Sequence, residues 1–296
     1  MRAAVFDQFG PPSVLRIAER PDPVPGPGQV RVRVRAAGVQ PFDVAVRLGQ
    51  MPWAKVEFPQ TIGQEYAGEI DQAGEGFAAG DAVLGSTMLN GAADYVVVPA
   101  ADVVRKPADL DFATAAALVA ASQTAYGSLL ELGVGADDVL LVHGASGSVG
   151  TIATQLARLA GATVIGTASP ANHDRLREIG AIPVSYGPGL VGAVRALGRQ
   201  PTVALDTAGG EALAQSAELG IPLDRIGTIA DDKAAAEVGA RVVRAGRDPK
   251  RLAEVIGLAA RGQIRIGVRT FALADIAEAH AAVESRHSGG KVVLLL

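Results

Sequence analysis

The sequence predicts an α/β chain of two domains, a barrel-like all-β region followed by a doubly wound parallel sheet. Residues 1 to about 100 hold short apolar runs broken by dense glycine and proline turns, the pattern of a barrel or sandwich. From Val139 onward, strand-length and helix-length apolar patterns alternate, as in a parallel sheet with right-handed crossovers. A length of 296 residues is long for one core and comfortable for two.

In order along the chain, Arg2 to Phe6, Val14 to Glu19 and Gln29 to Ala37 read as strands. Gln29 to Arg35 alternates valine with arginine, which puts Val30, Val32 and Val34 on one face and Arg31, Arg33 and Arg35 on a solvated one. Pro21 to Gly28 is too rich in proline for helix or ladder and reads as a loop. A short helix follows at Phe42–Leu48, then a loop at 50–60 carrying the one tryptophan, Trp53. Strands are expected at Ala67–Ala73, Ala82–Gly85 and Ala93–Pro99. Two helices, 113–119 and 124–131, have Asp111 and Ser122 as caps.

The second half then reads strand 139–143, helix 149–160, strand 163–167, helix 172–179 and strand 182–185. It continues with helix 190–197, strand 202–206, helix 211–219, strand 225–229 and helix 249–261. Strand 266–269, helix 273–284 and strand 291–296 close the chain.

Apolar residues make up 49% and charged residues 20%, which predicts a globular chain rather than a disordered one. A net charge of −4 with no basic block argues against nucleic acid as a partner. No apolar run reaches the ~18 residues a membrane span needs, and the first residues lack the apolar core of a signal peptide, so a cytoplasmic location is expected. With no cysteine, disulfides, thiolate catalysis and cysteine-ligated zinc are excluded. The histidines (143, 173, 280 and 287) are scattered with no i, i+4 pair, so no metal site is expected.

The stretch Val139-Leu-Leu-Val-His-Gly-Ala-Ser-Gly-Ser-Val-Gly150 carries the chemistry. A buried strand, a glycine turn and a helix make the first half of a dinucleotide-binding unit. The helix N-terminus offers unpaired N–H groups and partial positive charge to a pyrophosphate, and glycines let the backbone approach it. Ser146, Gly147, Ser148 and Val149 are the loop residues expected on the cofactor. Ala145 replaces the first glycine of the strict G-x-G-x-x-G pattern, and a tight turn without ligand is the competing reading.

Strand 163–167 ends in Thr167-Ala-Ser169-Pro with no carboxylate to bind a ribose 2′-hydroxyl. Ser169, Asn172, His173 and Arg175 would instead accept a 2′-phosphate, so NADP(H) is the expected cofactor. The polar start of a helix, capped by Asn172, is the alternative. Asp206 ends the fourth strand of the alternating region, the edge where doubly wound sheets bind ligands.

His143 to Gly150 resembles the nucleotide loop of the zinc-independent, quinone-oxidoreductase-like branch of the medium-chain dehydrogenase/reductases. So do Ala36-Ala-Gly-Val-Gln-Pro-Phe-Asp43, Gly63-Gln-Glu-Tyr-Ala-Gly68, Gly91-Ala-Ala-Asp-Tyr-Val-Val-Val-Pro99, Asp206-Thr-Ala-Gly209 and Gly289-Gly-Lys-Val-Val-Leu294. The blocks occur in family order across essentially the whole chain. The resemblance implies a GroES-like β-barrel catalytic domain (1–117), a Rossmann NADP-binding domain (118–261) and a return to the catalytic domain (262–296). It also implies a homodimer.

Zinc-dependent relatives carry a cysteine and a histidine where this chain has Gln40 and Gln64, which implies hydride transfer without a metal. The branch usually has Asn at the position of Gln40, and often a tyrosine where Met51 to Trp53 lie. By resemblance, Thr124, Tyr186 and Lys291 approach the cofactor, while Met51, Trp53 and the 87–91 loop with Asn90 shape the substrate pocket.

Reduction of a quinone or enone builds negative charge on oxygen, so hydrogen-bond donors belong there. Gln40, Asn90, Tyr66 and Tyr126 are the available donors. Gln40 is assigned this role with Asp43 to orient it, against a reading in which Asp43 only caps the Phe42–Leu48 helix. The expected function is an NADPH-dependent, zinc-free reductase of quinones or other conjugated carbonyls. Its rivals are an enoyl or enone reductase of secondary metabolism and a non-catalytic NADPH-binding redox sensor.

Overall fold

A computed structural model describes residues 1–244, 246–285 and 288–296. His287, counted above among the scattered histidines, lies outside the described residues. The chain divides into two compact units, Met1–Ala120 with Asp248–Leu296, and Ala121–Arg247.

The first unit is built around strand Gln29–Val39, whose valines Val30, Val32 and Val34 are buried as the alternation predicts. Its neighbours are Lys291–Leu295, Glu65–Gln72 and Tyr95–Pro99, all antiparallel to it. Ala82–Ser86, Val104–Arg105 and Val268–Ala272 extend the sheet to seven strands. A smaller sheet joins Leu15–Glu19, Arg2–Phe6 and Gln60–Thr61. The arginine face is not simply solvated. Arg31 and Arg33 pair with Asp71, and Arg35 with Glu69, all on strand Glu65–Gln72. The pairs bridge neighbouring strands, the sheet counterpart of helical i,i+4 pairs.

The pairing register sets up the site. Glu65 lies opposite Gly38 on one side, and Val293 lies opposite Gly38 on the other. A Cβ on Gly38 would stand 1.9 Å from Glu65 Oε2, so the absent side chain is what admits the carboxylate.

The second unit is a six-stranded all-parallel sheet. Its order is Ile182–Ser185, Thr163–Ala168, Val139–His143, Val203–Asp206, Ile226–Thr228, Arg241–Val242. The order reverses at Val139–His143, so the carboxyl ends of that strand and Val203–Asp206 form the topological switch point where such sheets bind ligands.

Several boundaries differ from the sequence reading. Residues 112–131 form one helix, Phe112–Glu131, where two were expected. Asp111 caps it, accepting from the Thr114 amide at 2.8 Å, but Ser122 sits buried in mid-helix. The alanines on either side sustain the helix through a polar triplet that resembles a boundary. Helix Asp232–Val238, capped by Asp231, and the two-residue strand Arg241–Val242 were not expected. The late strand is Val268–Ala272 rather than 266–269; it is a largely exposed edge strand, so apolar alternation does not mark it. Helix Pro249–Ala260, ascribed to the nucleotide domain by sequence, groups with the first unit and packs on Val104–Arg105. Among the described residues no helix is long and apolar enough to cross a membrane.

Candidate active site

Helix Pro41–Arg47 follows directly from strand Gln29–Val39, with Pro41 at its first position, where no N–H is needed. Gln40 is its N-cap residue in a capping box with Asp43, whose Oδ2 accepts the Gln40 backbone N–H at 2.9 Å. The capping role weighed for Asp43 is therefore present. The carboxyl is also 1% exposed, and its Oδ1 has no hydrogen-bond partner. Burial pushes the Asp43 carboxyl up to about 7, opposed by the Lys291 ammonium and the Gln40 and Gly63 backbone amides and reinforced by the Glu65 carboxylate.

The Gln40 side chain turns from the helix to Gln64, donating from Nε2 to Oε1 at 2.5 Å. The two amides thus meet at the positions where zinc-dependent relatives carry ligands. Behind them Glu65 is fully buried, with Lys291 Nζ 2.6 Å from Oε2 and the Ala120 N–H donating to Oε1 at 2.6 Å. Beside Gln40, Trp53 stacks on Phe42 with ring centroids 5.6 Å apart at 32°, and Met51 packs half-buried against the barrel core. Trp53 is 59% exposed, and Asn90 is exposed in a left-handed conformation at φ 83°. Tyr66 is not a candidate donor. It is 0% exposed in the barrel core, its hydroxyl lies where a Gly85 side chain would stand, and burial pushes its phenol up.

In the second unit the nucleotide loop takes the expected shape. Gly147 is the N-cap of helix Ser148–Leu159, with no side chain capping it, so the first-turn amides of Ser148 and Val149 point to the loop. A Cβ on Gly150 would lie 2.4 Å from Gly144 O and 2.7 Å from Ala145 Cα, so this glycine seats the helix against its turn. Gly147 is less crowded: a Cβ there would lie 3.3 Å from Gly144 O, a tight contact without overlap. Thr167 braces the loop: its Oγ1 accepts the Gly144 N–H at 3.1 Å and its carbonyl accepts the Ala145 N–H at 3.0 Å. A glycine turn with no side chain capping the 12-residue helix after it has the form that fits a dinucleotide pyrophosphate.

Asp206 is fully buried and occupied. Its Oδ1 accepts from the Ala208 and Gly209 amides and its Oδ2 from Thr228 Oγ1 at 2.6 Å, so it shapes the turn at the strand end. Ser169 and Arg175 are half-buried. Asn172 does not cap the helix; its Nδ2 donates to Ser169 Oγ at 3.1 Å. Tyr186 is 64% exposed and lines a cavity of about 510 Å³ with His173, Val184, Ser185, Gly189 and Leu197. Thr124 is half-buried on the long helix. Lys291 does not stand at the surface; its ammonium is buried against Glu65 in the first unit.

The sequence reading did not assign Glu65 or Phe42. A lone carboxylate between Gln64 and Tyr66, opening an otherwise apolar strand, was the available signal for Glu65. Its partner Lys291 lies too far along the chain to be paired without the fold.

Residues 26–108 match the family model described as the alcohol dehydrogenase GroES-like domain, and residues 191–294 the one described as zinc-binding dehydrogenase. The chain is 38% identical over 182 residues to the quinone oxidoreductase of Lama guanicoe, covering 60% of this chain and 55% of that protein. It is 34% identical over 293 residues to erythronolide synthase EryA2 of Saccharopolyspora erythraea, covering 88% of this chain and 8% of that protein. In sequence, the chain spans about half the length of the mammalian quinone oxidoreductases it matches.

Among solved structures, the quinone oxidoreductase from Coxiella burnetii superposes with a TM-score of 0.90 at 28% identity, covering 100% of this chain and 99% of that one. An NAD-dependent alcohol dehydrogenase superposes with a TM-score of 0.89 at 30% identity over 100% of both chains. This chain belongs to the medium-chain dehydrogenase/reductase family of oxidoreductases, in its zinc-independent, quinone-oxidoreductase-like branch. Members of the family bind nicotinamide cofactors.

Proposed function

We propose that this chain is an NADPH-dependent reductase that delivers hydride to a quinone or another conjugated carbonyl without a metal. The observation that carries the reading is the Gln40–Gln64 amide pair set beside the Phe42–Trp53 stack. The ring pair, tilted at 32° with Trp53 largely exposed, offers apolar aromatic surface to a planar acceptor. An amide NH₂ has two donors, and one of those on Gln40 is engaged by Gln64. The other is assigned to the acceptor oxygen, where the electron pair delivered with the hydride comes to rest. Water supplies the proton. A bound nicotinamide supplies the hydride.

The loop Ser146–Val149 would hold the pyrophosphate. Ser169, Arg175 and Tyr186, with the cavity beneath Tyr186, support the NADP preference, because no carboxylate ends strand Thr163–Ala168. Thr124 and Lys291 keep the roles implied by resemblance only in part: Lys291 acts through Glu65 rather than as a free cation. A cytoplasmic homodimer belongs to the same reading. Gln40→Leu tests it. Loss of a donor to a developing oxyanion lowers kcat by about 100-fold with NADPH affinity kept; an unchanged kcat contradicts the assignment.

Alignment with erythronolide synthase EryA2 over 88% of the chain supports a second reading, an enoyl or enone reductase. The two part on the acceptor turned over, a quinone or an α,β-unsaturated thioester or ketone.

A further inference from the structure

The buried cluster behind the amide pair holds two carboxyl groups, Asp43 and Glu65, and one ammonium, Lys291. All three residues are at most 6% exposed. Lys291 is ion-paired with Glu65 Oε2 at 2.6 Å, and Glu65 Oε1 accepts the Ala120 amide, so Oε2 has only the ammonium. Asp43 Oδ2 accepts the Gln40 amide, the Gly63 amide also bears on the carboxyl, and Oδ1 has no hydrogen-bond partner. An ionised carboxylate is an acceptor at both oxygens, and leaving one unpaired in a dry site is costly, whereas the acid form places a proton there. The charge balances when one of the two carboxyls is neutral, and the ion pair of Glu65 with Lys291 together with the unpartnered Oδ1 marks Asp43 as that one. Asp43 also reaches the amide pair through its bond to the backbone of Gln40.

We propose that Asp43 is a positioning residue that is protonated in the active protein, and that its ionisation switches off hydride acceptance at Gln40 by placing a negative charge beside the amide pair. This rests on the reductase reading above. With Asp43 neutral, the cluster adds no net charge under an oxygen that becomes negative. With Asp43 ionised, the net charge is −1 a few bonds from Gln40, and the developing oxyanion is disfavoured. The charged groups bearing on Asp43 are Lys291, which favours ionisation, and Glu65, which opposes it. Burial tips the balance toward the acid and brings the transition to about 7.

Two readouts on the full chain test this. Infrared difference spectra of the protein without substrate should show a buried carboxylic-acid C=O band at pH ~6 that titrates away through neutrality, and Asp43→Asn should lack it. No such band in the natural protein overturns the proposal. The pH profile of kcat should fall about tenfold per pH unit above the transition, and Asp43→Asn should flatten that limb. A profile unchanged in Asp43→Asn overturns the switch. If Asp43→Asn does not fold, Lys291→Met should move the band's midpoint upward, since the ammonium that favours ionisation is gone; an unmoved midpoint overturns the coupling. If no acceptor is turned over, the reductase reading falls and the switch with it, while the infrared band still decides whether Asp43 holds the proton.

Discussion

Lys291 Nζ lies 2.6 Å from Glu65 Oε2, with side chains 5% and 0% exposed, joining the closing strand of the chain to the strand that begins just after Gln64. Breaking one side of a buried pair leaves an uncompensated charge. Glu65→Gln and Lys291→Met should each lower the unfolding free energy by about 3–5 kcal/mol. Their combination should cost well under the sum, as read by urea denaturation. Additive losses would mean that the two groups do not interact.

The glycines of the nucleotide loop separate into two kinds. Gly147→Asp brings a Cβ to 3.3 Å from Gly144 O, a mild crowding beside that at Gly150, so the fold should survive while NADPH affinity drops through repulsion of the pyrophosphate. Gly150→Ala drives a Cβ to 2.4 Å from Gly144 O and should instead lower the melting temperature. Calorimetric binding together with thermal melts distinguishes the two. Unchanged affinity in Gly147→Asp would remove the loop from the cofactor site.

His280 gives the protein a sensitivity to acid that has no part in catalysis. Both of its ring nitrogens are buried without partners, and burial with the Arg47 charge pushes the imidazole down to about 3. The folded-state value lies below the ordinary 6.5, so the unfolded chain binds the proton more readily. Stability is therefore full above pH ~6.5 and is lost as pH falls toward the folded value. His280→Leu should recover about 2 kcal/mol at pH ~5 relative to its effect at pH ~8, measured by urea unfolding at the two pH values. Equal effects at both would contradict the assignment. His143, pushed down to about 4 by burial, should retain a smaller part of the acid sensitivity in that variant.

Activity should be indifferent to chelators. Amides are poor zinc ligands, and Gln40 and Gln64 bind each other. Among the described residues no group of three metal-ligating side chains is gathered. A loss of turnover in EDTA that zinc restores would refute the metal-free mechanism.

The sequence exposes those parts of this molecule that rest on local pattern. The alternation of Gln29 to Arg35 and the strand–glycine–helix run at 139–159 each state their own geometry, and the structure agrees. Gln40 and Gln64 were found together because flanking motifs mark both. What stayed hidden depends on long-range register. Glu65 meets Lys291 only because Gly38 pairs with both of their strands, and nothing within a window of sequence encodes that. Asp206, picked for its place at the strand end, does end strand Val203–Asp206 but spends its oxygens on its own turn. Tyr66 looked like a donor because a tyrosine in a motif gives no sign of which sheet face it takes; its strand turns it into the core.

The most direct test of the account is the oxidation of NADPH and of NADH, followed by absorbance, with a 1,4-quinone and an α,β-unsaturated ketone as separate acceptors. The account predicts rapid loss of NADPH with the quinone and much slower loss of NADH. Turnover of the enone alone would transfer the chain to the enoyl reductase reading. Tight NADPH binding with no turnover of either acceptor would contradict the central claim and leave a cofactor-binding sensor.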